Sequence, residues 1–111
     1  MYRIFIYRIS TKNEFILNMV MSKAKDKRAA RYFKALGHPV RIQIVRQLND
    51  YGACFGGDIS SQLPVAPSTT SQHLKILKDA GVITGTIDGP RRCYCIRKEA
   101  LLDLKDWLKT L

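Results

Sequence analysis

STTSQHLKILKDAGVI, residues 68–83, decides the fold through the spacing of its apolar side chains. Thr70, Leu74 and Leu77 recur at i, i+4 and i+7, the period of a helix with one apolar face. That period turns Thr69, Ser71, Gln72, His73, Lys75 and Lys78 toward the flanks and the outside. Ser68 follows Pro67 just ahead of the periodic run, so its hydroxyl is predicted to cap free N–H groups at the helix start. Gly81 occupies the usual left-handed position that ends a helix. Beyond it, Val82 to Ile87 (VITGTI) is β-branched enough to predict a strand.

Working outward, Asp58 to Leu63 (DISSQL) reads as a short helix and Pro64 to Pro67 (PVAP) as a brief turn, giving two helices joined by a tight connection. Downstream, Asp88-Gly89-Pro90 is a turn signal and Arg91 to Arg97 (RRCYCIR) alternates as a returning strand. The predicted fold is mainly α with a small β-hairpin wing, a winged helix-turn-helix. Lys23 to Leu36 is predicted as a core helix with Ala29, Ala30, Phe33 and Leu36 on one side. A second helix opens at Pro39 and runs to about Leu48, with Val40, Ile44, Val45 and Leu48 inward. The last, Glu99 to Leu111, sets Leu101, Leu104, Leu108 and Leu111 in one stripe beside Trp107, an apolar surface suited to the first helix and a partner subunit. Residues 1–22 show no clean period and are expected to form a flexible extension, leaving 23–111 as the DNA-binding and dimerisation domain.

The chemistry of the exposed helix face points to double-stranded DNA. Major-groove base edges demand paired donors and acceptors, which the Gln72 amide offers; Ser68, Thr69, Ser71 and His73 offer shorter contacts, and Lys75 suits phosphate. Arg91 and Arg92 at the wing tip can enter a minor groove or clamp phosphate. A polar helix face is by itself only a wet surface. Here the cap, the short preceding helix and the following hairpin would all have to be coincidental. The formal net charge of +10 fits a polyanionic partner, although nine of the nineteen Lys and Arg residues lie in residues 1–35. Basicity therefore supports the reading without establishing it.

A chain of 111 residues makes one small domain with a marginal core, and a homodimer would supply the missing buried surface. No apolar run approaches the roughly 20 residues of a membrane span, so a soluble protein without a membrane partner is expected. Three cysteines are an odd number in a chain with no signal-peptide pattern, which argues against a disulfide framework and for a reducing cytoplasm.

Three separated motifs occur in order: LGHPVRIQIVRQL at Leu36 to Leu48, STTSQHLKILKDAGVI, and IDGPRRCYCI at Ile87 to Ile96. Together they resemble the arsenic-repressor (ArsR/SmtB) type of dimeric winged-helix transcriptional regulator, over about Lys25 to Leu111. The resemblance implies a homodimer bound to a DNA operator, usually a repressor released by a signal. The family often senses metals through Cys-x-Cys in its third helix or through His and Asp on its last. This chain departs from both patterns, with CFGGDIS at Cys54 to Ser60 and a last helix that keeps Asp103 and Asp106 without histidine. No metal or cofactor is predicted on that basis, and the motifs name no inducer.

Cys93 and Cys95 share a face of the returning strand. Two soft thiolates at that spacing, with Cys54 as a third candidate, can bind a thiophilic ion such as arsenite or meet an oxidant. The plainer reading is structural. His38 precedes Pro39 at a helix start and reads as a capping or packing residue. Catalysis finds no support, since the chain has no Gly-rich phosphate loop, nucleophile elbow or paired acids in a plausible cleft. A winged helix can instead serve as a protein-interaction module, which would show little salt-dependent DNA affinity.

Overall fold

The computed structural model describes residues 12–52, 54–57, 59–88 and 91–111, with side chains at 12, 13, 86–88, 91 and 92 outside the description. The first helix, α1 (Lys12–Leu36), begins at Lys12 rather than at the expected Lys23. No proline or glycine interrupts residues 12–36, so nothing stops the helix before Gly37. Its early turns gave no periodic signal because apolar residues point in all directions there. Phe15, Ile16, Leu17, Met19, Val20 and Met21 are all exposed. Farther along, the buried stripe is Ala29, Tyr32 and Ala35, with Leu36 partly buried against the core; of the expected residues Ala29 and Leu36 face inward, while Ala30 and Phe33 are exposed. The Tyr32 ring goes inside because its hydroxyl finds a donor there, Arg97 Nη1 at 3.3 Å.

Helix α2 (Pro39–Tyr51) has proline in its first turn and His38 as N-cap, whose Nδ1 accepts from the Val40 N–H at 3.1 Å. It buries Val40, Ile44 and Leu48 as predicted and stops at Gly52, φ 80°. The expected short helix at Asp58–Leu63 is a 3-10 turn, Ile59–Gln62, with Asp58 outside the described residues. Helix α3 (Pro67–Asp79) follows, starting one residue before Ser68. Its N-cap is Ala66, with no side-chain cap, so the predicted capping by Ser68 is corrected. Pro67 takes the first helical position, where its missing N–H costs nothing, and Ser68 sits exposed within the first turn.

Gly81, at φ 85°, ends α3 in the left-handed conformation expected of it. The chain then enters the antiparallel hairpin β1 (Ile83–Asp88) and β2 (Arg91–Ile96), in register Ile83↔Ile96 through Asp88↔Arg91. Gly85 faces Tyr94 across the ladder, and a Cβ there would lie 2.6 Å from Tyr94 Cδ1. The close approach of that ring requires glycine. Helix α4 (Lys98–Lys109) packs on α1: Trp107 Nε1 donates to Asp26 Oδ1 at 2.8 Å, and the Phe33 and Trp107 rings meet edge-on at 5.6 Å. Of the predicted α4 stripe, Leu104 belongs to the chain's own core, Leu101 is half-buried, and Leu108 and Leu111 are exposed. No described helix is long and apolar enough to cross a membrane.

The core joins Ile44 and Leu48 of α2, Leu74 and Leu77 of α3, Val82 and Ile83 at the hairpin entry, and Ala100 and Leu104 of α4. Leu77 is fully buried whereas its neighbour Ile76 is 43% exposed. Leu77→Ala should therefore cost about 2–5 kcal/mol, while Ile76→Ala should cost less than about 0.5 kcal/mol. Urea denaturation of both variants checks this, and equal midpoints would contradict the orientation of α3.

Candidate nucleic-acid interface

Helix α3 divides sharply into two faces. Thr70, His73, Leu74 and Leu77 are buried, while Ser68, Ser71, Gln72, Lys75 and Lys78 are exposed and Thr69 is half-buried. Thr70 points inward without leaving its hydroxyl unpaired, since Oγ1 donates to the Ala66 carbonyl at 3.2 Å. On the outer face Lys75 Nζ pairs with Asp79 Oδ2 at 3.0 Å, one turn away. So exposed an i,i+4 pair is weak, so Lys75 can exchange Asp79 for a phosphate at little cost. With no acidic residue in its first turn and no side-chain cap, α3 presents the positive end of its dipole to solvent.

His73 corrects the sequence expectation. It was placed among the outward residues, yet only 9% of it is exposed. It sits one turn before Leu77 on the inner flank, where Arg41 Nη1 lies 3.3 Å from its Nδ1 and the His38 ring is 4.5 Å away, centroid to centroid. Burial, first, and then the neighbouring His38 and Arg41 charges lower its pKa below the ordinary histidine value of 6.5. The ring is therefore turned into the inner flank of α3 and away from its exposed face. The signal lay in HPVR at residues 38–41, where the proline fixes the helix start and so aims both His38 and Arg41 at α3.

The far end of α3 is tied to the wing. Arg31 Nε donates to the Ala80 carbonyl at 3.4 Å and Arg97 Nη1 to the Gly81 carbonyl at 3.3 Å, while the Arg97 N–H reaches the Val82 carbonyl at 3.0 Å. Cations at the C-terminal carbonyls of a helix oppose its negative dipole end. A surface groove lies between α3 and the hairpin, lined by Ser71, Lys75, Lys78, Asp79, Gly85 and Tyr94 among others. The backbones of Arg91 and Arg92 open β2 opposite Asp88 and Ile87. Their side chains, and the turn at Gly89-Pro90, lie outside the described residues.

Behind the wing, Phe55 forms an isolated bridge to Tyr94, each N–H donating to the other's carbonyl at 2.8 and 3.0 Å. The sequence reading missed this contact, because one bridging residue gives no period. It brings Cys54 beside β2, where Cys54 and Cys95 are joined by a disulfide across 41 residues and Cys93 is a free, half-buried thiol. The expectation that no disulfide forms is corrected. All three sulfurs lie within 4.8 Å of one another, the one such grouping of Cys, His or carboxylate ligands among the described residues. Only with the Cys54–Cys95 bond reduced would the three sulfurs suit a thiophilic ion rather than Mg²⁺ or Ca²⁺.

The chain is similar to known proteins. The sequence model for bacterial regulatory proteins of the arsR family matches residues 38–84, the stretch from the α2 cap through α3 to the start of the wing. The HTH-type transcriptional regulator YgaV of Escherichia coli K12 is 33% identical over 79 residues, covering 71% of this chain and 80% of that protein. The HTH-type transcriptional repressor SmtB of Mycobacterium tuberculosis is 44% identical over 66 residues, covering 60% of this chain and 48% of that protein. An ArsR-like transcriptional regulator from Rhodococcus sp. RHA1 superposes with a TM-score of 0.66 at 20% identity, over 78% of this chain and 81% of that one, a likeness of fold. With the motifs, the winged helix-turn-helix and the relatives in agreement, this chain belongs to the arsR family of bacterial regulatory proteins.

Proposed function

We propose that the chain is a homodimeric transcriptional repressor that reads a double-stranded operator in the cytoplasm with α3 and steadies itself on the phosphate backbone with the wing. The observation that carries this reading is the division of α3, with its inner face built into the core and Ser68, Ser71, Gln72 and Lys75 exposed outside. Gln72 reads a base edge, Ser68, Thr69 and Ser71 make shorter contacts, and Lys75, Arg91 and Arg92 meet phosphates. In a two-fold dimer, paired α3 helices about 34 Å apart would enter successive major grooves. The second copy covers the apolar surface that α1 and α4 leave exposed, including Phe33 at 40%, Leu108 at 51% and Leu111 at 87% exposure.

Selection from random duplex DNA followed by affinity measurement across salt concentrations tests the central reading. A recovered consensus whose binding weakens steeply with salt is the expected result; no enrichment would count against operator reading and favour a protein-interaction module. On the recovered duplex, Gln72→Ala should lose about 1–3 kcal/mol of discrimination, whereas Arg92→Ala should weaken all sequences alike and lower the salt slope by about one unit. Equal losses on specific and random DNA for Gln72→Ala would remove it from base readout. Leu108→Glu should shift the protein from dimer to monomer in sedimentation without unfolding it. Leu104 is unsuited to that test, being buried in the chain's own core.

The sulfur cluster favours a second reading of the same regulator, as a thiol-based sensor. Reduction of the Cys54–Cys95 bond by a dithiol yields two thiols, and Cys93 makes a third within reach. Deprotonated, the three form a trigonal set for arsenite or a soft metal ion. Reduced protein titrated with arsenite or Cd²⁺ should develop sulfur-to-metal absorption at one equivalent and release DNA. Cys93→Ser should weaken both responses. Unchanged DNA release after replacing all three cysteines by serine would leave them structural.

A further inference from the structure

We propose that Arg41 is a positioning residue for DNA reading, and that it acts through the two histidines as a proton-sensitive clamp beneath the recognition helix α3. The inference rests on the proposed DNA reading for its consequence, but its geometry stands apart from it. A guanidinium has only donors, so the 3.3 Å contact from Arg41 Nη1 makes His73 Nδ1 the acceptor. The Val40 N–H likewise makes His38 Nδ1 an acceptor at 3.1 Å. At His73 this favours the neutral ring, with its N–H at Nε2 and its one lone pair at Nδ1 already in use, the same direction in which burial acts. Arg41 holds the other side of the clamp, its Nε donating to the Ala35 carbonyl at 2.6 Å near the end of α1. One side chain thus ties the last turn of α1 and the first turn of α2 to the inner flank of α3.

An added proton can enter the His73 ring only at Nδ1, where it would set a new N–H against the Arg41 guanidinium. His73 faces Arg41 from α2 and the His38 ring from the α1–α2 corner, and both neighbours add to burial in lowering its proton affinity. The ion pairs of Arg28 with Asp103 and of Lys75 with Asp79 lie elsewhere. Charging His73 therefore pushes the inner flank of α3 away from α2, and Gln72 and Thr69, its immediate and one-turn neighbours, move with it. The sign follows from the lowered pKa of His73. Above 6.5 folded and unfolded chains are both neutral at this ring; below it the unfolded chain takes the proton first, so the docked state loses stability as pH falls from 6.5 to the lowered native value.

Simple charge makes the opposite prediction, because protonated histidines add positive charge and should tighten DNA binding at low pH. The chain has only these two histidines, which makes the comparison clean. The test measures the affinity of the full-length protein for a duplex recovered by selection, at about pH 7.5 and about pH 5.5, for wild type and for His38→Asn/His73→Asn. Asparagine keeps an acceptor at the δ position and cannot titrate. Wild type should bind at least about fivefold more weakly at the lower pH, while the double variant stays level or tightens. Wild type that binds equally or more tightly at low pH, or a double variant that weakens as much as wild type, overturns the clamp. Imidazole ¹⁵N spectra of wild type supply a readout independent of DNA and of the variant's folding. At pH 7.5 both Nδ1 atoms should be unprotonated acceptors, and a His73 ring protonated at Nδ1 would contradict the proposal even if DNA binding holds. Failure of wild type to bind any duplex would instead count against the operator reading, leaving the spectra to decide the clamp.

Discussion

The burial of one face of α3 is the constraint on which the remaining structure depends. Leu74 and Leu77 lock into Ile44 and Leu48 of α2 and into the residues entering the hairpin. A helix held on one side by close-packed side chains cannot rotate without opening cavities, each costing kilocalories. The rotation of α3 in turn fixes which residues it offers to solvent. Gln72 and Lys75 are outside because Leu74 and Leu77 are inside. Recognition chemistry at the surface is thus set by packing beneath it.

A helix alone would not place the wing. That coupling comes from the polar contacts at the exit of α3, where Arg31 and Arg97 take the Ala80 and Gly81 carbonyls and Tyr32 meets Arg97 from α1. The Phe55–Tyr94 bridge and the Cys54–Cys95 link then hold the back of β2 to the segment following α2. Helix and wing share their anchors. A chemical change at the sulfur cluster would therefore bear on β2 first, and a proton at His73 would bear on α3 first.

The sequence made the elements with a strong period legible. Apolar spacing in α2 and α3, the Pro39 start and the Gly81 stop all follow from local rules, and the hairpin follows from β-branched residues around Asp88-Gly89-Pro90. What was hidden is non-local. The first half of α1 carries apolar residues on every side, so no face could be read. Tyr32 replaces Phe33 in the core because Arg97, 65 residues away, satisfies its hydroxyl. His73 lies three residues after Thr70 and four before Leu77, so the period itself puts it inside, and reading it as outward overlooked that position; Arg41 and His38 are the non-local partners that accommodate the polar ring there. The pairing of Cys54 with Cys95, instead of any relation confined to Cys93 and Cys95, depends on a single bridge residue that leaves no pattern. Ser68 lost its capping role to Pro67, which starts the helix one residue earlier.

The central claim is that the outer face of α3, oriented by its buried face, meets DNA. Mapping backbone amide chemical shifts of the protein as a selected duplex is added tests this most directly. The account predicts that the largest changes cluster at Ser68, Ser71, Gln72 and Lys75 and along the hairpin, with α4 little affected. Changes concentrated on α4 and the exposed turns of α1, with those α3 residues unmoved, would contradict it.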